Sequence, residues 1–236
     1  MISKTRLLPL VKDLKWKEVS RSLSENPALL SYRDERGRNW LHIACAVKVH
    51  ERGLRVTDSI KMAEILLDAG LDINQGAFQE PDFDATPLWY AIAHGQNIKL
   101  AEFLLARGSV PHYCMWAAGY NNDAPAIRLL VANGAAINAS AEDATPFLFA
   151  IQWSRFTAAE ELLKLGADVN AQNSKRMTAL HYLLKKGSDK KYIKMLMRYG
   201  ARGDLKDGQG RTAAEIMSRK KDPEFRKMAT QLLAGQ

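Results

Sequence analysis

Apolar residues recur along this chain in short leucine-rich blocks, each closed by a glycine. The segments ILLDAGLDIN ending at Asn74, FLLARGSVPH ending at His112, LLVANGAAIN ending at Asn138, ELLKLGADVN ending at Asn170 and MLMRYGARGD ending at Asp204 stack without gaps. Their glycines are Gly70, Gly108, Gly134, Gly166 and Gly200. A glycine directly after such a block reads as the left-handed residue that ends a helix, because it takes positive φ without a Cβ clash. The glycines lie 38, 26, 32 and 34 residues apart. These intervals centre on a period of about 33, the size of one supersecondary unit in a repeat protein.

A second pattern precedes four of the five blocks and recurs after the last. Thr86-Pro87-Leu88-Trp89, Thr145-Pro146-Phe147-Leu148 and Thr178-Ala179-Leu180-His181 are its clear forms, with Asn39-Trp40-Leu41-His42 and Thr212-Ala213-Ala214-Glu215 as weaker ones. Thr or Asn caps the free amides at a helix start, and Pro87 and Pro146 suit the first helical position, where no internal N–H is needed. Each unit therefore reads as turn, helix, short loop, helix.

This alternation resembles the ankyrin repeat, whose pattern is G-x-T-P-L-H-x-A-A, a short loop, a second leucine-rich helix and G-A-D-V-N. Gly37 to Ala46 reads GRNWLHIACA, and Gly166 to Asn170 reads GADVN. The resemblance runs from about Asp34 onward. It implies an all-α solenoid of stacked antiparallel helix pairs with slight sheet content. The expected units are Asp34 to Asn74, Gln75 to Pro111, His112 to Asn138, Ala139 to Asn170, Ala171 to Asp204 and Leu205 to Gln236. Residues 1–33 are expected to form an N-terminal helical cap, with Leu7, Leu8, Leu10, Val11 and Leu14 covering the first repeat and Trp16, Val19 and Leu23 at helical spacing.

Three stretches depart from the pattern. Val47 to Ser59 widens the loop of the first unit and is expected to be a flexible surface loop. Gly76 to Phe83 lengthens a turn and sets Phe78 and Phe83 beside Glu80, Asp82 and Asp84, as a private contact loop or a plain insertion. Between Gly108 and Gly134 residues are missing, so Ser109 to Tyr113 is expected to be a tight link without a projecting hairpin.

Composition narrows the class. With 47% apolar and 25% charged residues the chain belongs among folded proteins. Leu7 to Val11 is too short for a secretory core, and nowhere do about 18 to 20 apolar residues run together, so neither export nor a membrane span is expected. Cys45 and Cys114 show no disulfide or zinc spacing, which suits a reducing cytoplasm. The net charge of +8 is C-terminal in origin: residues 185–227 hold 14 Lys/Arg against 6 Asp/Glu.

Candidate chemistry is thin. His42 and His181 fall on the T-P-L-H position, where the resemblance implies a structural hydrogen bond. His112 and Cys114 are two apart, and residues so spaced on a helix point in different directions. Glu160-Glu161 and Glu142-Asp143 are paired carboxylates expected on solvated surfaces. No phosphate loop, zinc-protease helix or nucleophile elbow appears. The expectation is a chain that is not an enzyme and takes no cofactor or metal.

The resemblance implies that first helices and turn tips line a concave groove for a protein partner. One residue past the capping tetrapeptides, with the third unit counted from its Ala117-Ala118 pair, lie Ile43, Tyr90, Trp116, Phe149, Tyr182 and Ile216. Three and four further on lie Ala46 and Val47, Ala93 and His94, Gly119 and Tyr120, Gln152 and Trp153, Lys185 and Lys186, and Arg219 and Lys220. The expected partner-binding residues are accordingly Tyr90, His94, Trp116, Tyr120, Phe149, Trp153, Tyr182, Lys185, Lys186, Arg219 and Lys220. Such a surface suits a protein with apolar anchors and an acidic segment. Against this, Tyr90 and Tyr182 also suit packing between units, and the basic end also suits a solvated terminal repeat. Single-stranded nucleic acid or another polyanion is the rival class. The free chain is expected to be a monomer.

Overall fold

The computed structural model describes residues 3–80, 83–141 and 143–234. Pro81, Asp82 and Glu142 lie outside them, as do the side chains of Glu80 and Phe83. The chain divides into two compact units, residues 1–117 with 132–135 and residues 118–131 with 136–236. The boundary runs through α7 (Cys114–Tyr120) and α8 (Ala124–Ala132).

In the first unit, α1 (Lys4–Lys12) and α2 (Trp16–Glu25) pack on α3 (Trp40–Cys45) and α4 (Val56–Asp68). A 3-10 turn, Pro27–Ser31, lies between the pairs. The contact buries Leu7, Val11, Leu14, Val19 and Leu23, while the Trp16 indole donates to Asp58 at 3.3 Å. Beyond α4 come β1 (Ala77–Glu80), β2 (Phe83–Ala85), α5 (Pro87–Tyr90) and α6 (Ile98–Ala106). In the second unit, α9 (Pro146–Gln152) pairs with α10 (Phe156–Lys164), α11 (Ala179–Lys186) with α12 (Lys190–Arg198), and α13 (Ala213–Ser218) with α14 (Pro223–Ala234). The architecture is the all-α stack of helix pairs expected from the repeat, with its slight sheet in β1 and β2.

First helices of four to eight residues are too short to persist alone in water, so capping and burial must supply their stability. Thr86, Thr145 and Thr212 accept the amides of Trp89, Leu148 and Glu215 at 3.1 to 3.3 Å. Pro87 and Pro146 stand at the first helical positions. Second helices end at glycines with positive φ, 97° at Gly70 and 95° at Gly166. Helices turn apolar side chains inward, as with Leu100, Ala101 and Leu104 of α6 or Ala158, Ala159 and Leu162 of α10.

Polar latches fix the spacing between successive repeats. The Asn39 amide donates to Nδ1 of buried His42 at 3.2 Å, leaving Nε2–H to donate to the Gln75 carbonyl at 2.8 Å. His181 repeats the arrangement between the Thr178 amide and the Arg211 carbonyl at 3.2 and 3.1 Å. Asn170 sends its amide to the Gly200 carbonyl at 3.2 Å and accepts from the Arg202 amide at 2.8 Å. Asn74 does the same with Gly108 and Val110. Turn tips join too: the amides of Phe78 and Gly208 donate to the carbonyls of Arg36 and Lys175, both at 2.8 Å.

The widened first loop differs from its expected looseness. Val47 and Val49 are buried, and Arg52 pairs with Asp13 at 2.6 Å and bonds the Lys12 carbonyl. Only its polar crest, including His50, is exposed. The lengthened turn from Gly76 forms the β1–β2 hairpin, with Ala77 opposite Ala85. From Arg107 to Tyr113 there is neither helix nor strand.

Burial, reinforced by the positive Arg33 and Arg38, lowers the His42 pKa from 6.5 to about 4. The unfolded chain therefore binds a proton in this interval that the folded chain refuses. Its contribution is complete above pH 6.5 and is lost as pH falls toward 4. Between pH 7 and 4.5, urea unfolding of the parent should lose about 2 kcal/mol more stability than that of His42→Gln. Equal losses would contradict a buried neutral imidazole. Asn170→Ala, which strips two inter-repeat bonds, should cost about 1 to 2 kcal/mol at pH 7. An unchanged unfolding midpoint would show that water replaces the latch.

Candidate binding surface

Several of the proposed contact residues fall at the C-terminal ends of first helices, while Trp116, Phe149 and Tyr182 lie within them. Tyr120 is the last residue of α7, Trp153 the C-cap of α9, Lys186 the last residue of α11 and Arg219 the C-cap of α13. A cation there is favoured by the helix dipole whether or not anything binds it, which is a structural reason for Lys185, Lys186 and Arg219.

In the first unit, α5 continues into a single π turn, Ala91–Gly95. Gly95 is required there, since a Cβ would stand 2.3 Å from the Cys45 carbonyl oxygen. The turn displays His94, exposed and stacked on Tyr90 at 5.4 Å, with Trp89 edge-on at 5.3 Å. Partial burial and the nearby Arg38, Arg36 and Lys48 lower its pKa. Tyr90 itself corrects the sequence expectation: it is 4% exposed, wedged among His42, Trp89 and His94, and is a packing residue with no face for a partner. Trp116 is half-buried, 6.1 Å from Tyr113.

The second unit carries a different surface. Tyr120 and Trp153 are 45% and 52% exposed and meet edge to face, 5.5 Å apart at 74°. Phe149, half-buried, lies 6.1 Å from Trp153 and forms the floor on that side. The Arg155 guanidinium lies 5.0 Å from the Tyr120 ring centre. Tyr182 is held by Gln152 at 3.0 Å and Asn173 at 2.9 Å, so its hydroxyl braces the turn and its ring is half-buried. Lys186 folds back, its ammonium donating to the Gln152 carbonyl at 2.6 Å and the Ser154 hydroxyl at 2.8 Å, on either side of Trp153. Lys185 and Arg219 are exposed, while Lys220 lies 5.8 Å from the Phe225 ring.

Arg155 escaped the sequence reading because counting along the helix stops at its end. Ser154 turns the chain with φ of 56°, and that reversal returns Arg155 to the aromatic pair. The only available signal was a cation two residues past an exposed tryptophan in a turn.

The surface shows little means for chemistry. Cys45 and Cys114 are buried, and burial raises both thiols well above their usual pKa, so neither supplies a thiolate near neutral pH. Among the described residues no group of three or more His, Cys, Asp or Glu could hold a metal ion. No helix among them is long and apolar enough to cross a membrane.

Comparison with known proteins gives a consistent result. The model of the family "Ankyrin repeats (many copies)" matches residues 148–197. Inversin from Mus musculus is 31% identical over 129 residues, covering 53% of this chain and 12% of that protein. Inversin from Gallus gallus is 32% identical over 109 residues, 45% of this chain and 10% of that protein. The chain thus spans a small part of the curated relatives it matches. Among solved structures, the human ASB11 ankyrin repeat domain superposes with a TM-score of 0.74 at 19% identity, covering 98% of both chains. The ankyrin repeat domain of Bcl-3 gives 0.73 at 19% identity, over 95% of this chain and 97% of that one. The capped helix pairs, their histidine and asparagine latches and these likenesses converge on one assignment: the chain has the ankyrin-repeat fold, and residues 148–197 match the family model itself.

Proposed function

We propose that this chain is a protein-binding module that captures its partner on side chains at the ends of its first helices, with Tyr120 and Trp153 as anchors. Ankyrin repeats are in general protein interaction modules. The observation that carries the site assignment is the exposure of this aromatic pair, because large rings half in water cost hydration free energy until a partner covers them. Phe149 supports the pair from below, and Tyr182 acts mainly as a brace. Lys185, Lys186, Arg219 and Lys220 supply a positive field that attracts an acidic segment. In the first unit, His94 and Trp116 remain candidate contacts. The cap at 1–33 and the six units from 34 to 236 are the arrangement proposed for the scaffold. Buried free thiols suit a reducing cytoplasm, and the free chain is proposed to be monomeric.

Affinity capture from native lysate, followed by binding kinetics on the purified partner, tests the reading. Tyr120→Ala or Trp153→Ala should weaken binding by about 2 kcal/mol, chiefly through faster dissociation. Charge reversal at Lys185, Lys186, Arg219 and Lys220 should slow association and flatten its salt dependence. A partner that binds all of these variants as tightly as the parent would overturn the site. Salt-sensitive binding of single-stranded oligonucleotides, weakened by the same aromatic changes, would favour the polyanion reading instead.

A further inference from the structure

Two cations lie near the Tyr120–Trp153 pair, Arg155 against the Tyr120 ring and Lys186 on the residues that flank Trp153 in sequence, and neither forms an ion pair among the described residues. Lys186 is held by neutral oxygens, the Gln152 carbonyl and the Ser154 hydroxyl, so no carboxylate neutralises its charge. Arg155 lies against the Tyr120 ring, and its Nε is buried without an acceptor. A guanidinium carries five donors and no acceptor, and a ring face satisfies none of them as well as an oxygen does. Some cations of the same unit do have carboxylates, Arg128 with Glu161, Lys190 with Asp222 and Glu224, and Arg211 with Asp207, all within 2.8 Å, whereas the exposed Lys185 and Arg219 have none among the described residues.

We propose that the segment received here is an acidic peptide of the partner, with one large apolar side chain seated against Tyr120 and Trp153 and an Asp or Glu within a few residues of it paired to Arg155 and Lys186. This rests on the protein-binding reading above and names the chemistry of its ligand. The ring planes differ by 74°, so the pair forms an angled corner, and the guanidinium already lies against one of the rings. A corner accepts a branched or aromatic side chain. Stacked bases need parallel open faces, which disfavours single-stranded nucleic acid. The buried Nε shows that the fold supplies this guanidinium with no acceptor, and a carboxylate that meets its terminal nitrogens can be held by two parallel bonds.

The full chain is exposed to a phage-displayed library of random 12-residue peptides, and enriched sequences are synthesised for titration. Enrichment should favour Leu, Phe or Trp within three positions of Asp or Glu. Trp153→Ala and Arg155→Gln should each weaken the selected peptide at least tenfold, with unfolding midpoints near the parent's. Lys186 is exposed, so Lys186→Glu should leave folding intact, weaken the acidic peptide and bind better a version whose acid is changed to Lys. That swap distinguishes direct pairing from a structural role. Enriched peptides without acids, or with binding unaffected by the three variants, would overturn this inference while leaving protein binding elsewhere on the chain intact. No enrichment, together with binding of (dT)12 that Trp153→Ala abolishes, would overturn both readings.

Discussion

The burial of apolar helix stripes against the adjoining repeat is the interaction on which the rest of each unit depends. Helices such as α3 and α13, six residues each, have no stability of their own to offer. They persist because apolar faces on both sides remove them from water, and because threonine, asparagine and histidine close the hydrogen bonds that burial would otherwise leave open. His42 and His181 show how tightly the two requirements are joined. Each ring uses one nitrogen to cap its own helix and the other to hold the next turn, so local structure and repeat spacing depend on the same side chain.

Much of this was legible in the sequence because the constraints are local and repeated. A glycine that must take positive φ, a threonine that must cap and a proline that suits only the first helical position recur at a fixed distance, and chance does not supply that. Within residues 1–33 the same logic holds in part: Leu7, Val11, Leu14, Val19 and Leu23 are buried, whereas Leu8 and Leu10 are half-buried. The exposed pair was legible as well: Trp153 stands where a helical count from its capping motif leads, and Tyr120 where a count from the Ala117-Ala118 pair leads, both at helix ends in water.

What escaped depends on chain reversals and on contacts distant in sequence. The first loop is polar in composition, yet Val47 and Val49 are buried and Arg52 reaches Asp13 nearly forty residues away, which no local pattern announces. Tyr90 occupies the same motif position as the less buried Phe149 and Tyr182, but a π turn and the rings of Trp89 and His94 enclose it. Arg155 became part of the aromatic site only through the positive φ at Ser154. The paired tips were visible but unread: Asp34 with Arg38 and Asp207 with Arg211 build the same five-residue turn, each aspartate accepting two backbone amides as well as the guanidinium.

The scaffold and the surface thus use different residues: inward stripes and latches hold each unit, and rings at helix ends face water at a free-energy cost that a partner would remove. Urea unfolding of Leu180→Ala and Trp153→Ala, compared with the parent at pH 7, tests this separation most directly. Leu180 is buried on α11 between neighbouring helices, so its truncation should cost about 2 to 5 kcal/mol, whereas loss of the exposed Trp153 ring should cost less than about 1 kcal/mol. A Trp153→Ala loss as large as that of Leu180→Ala would mean that the tryptophan belongs to the packing of the repeats, and would contradict the account of a surface kept for a partner.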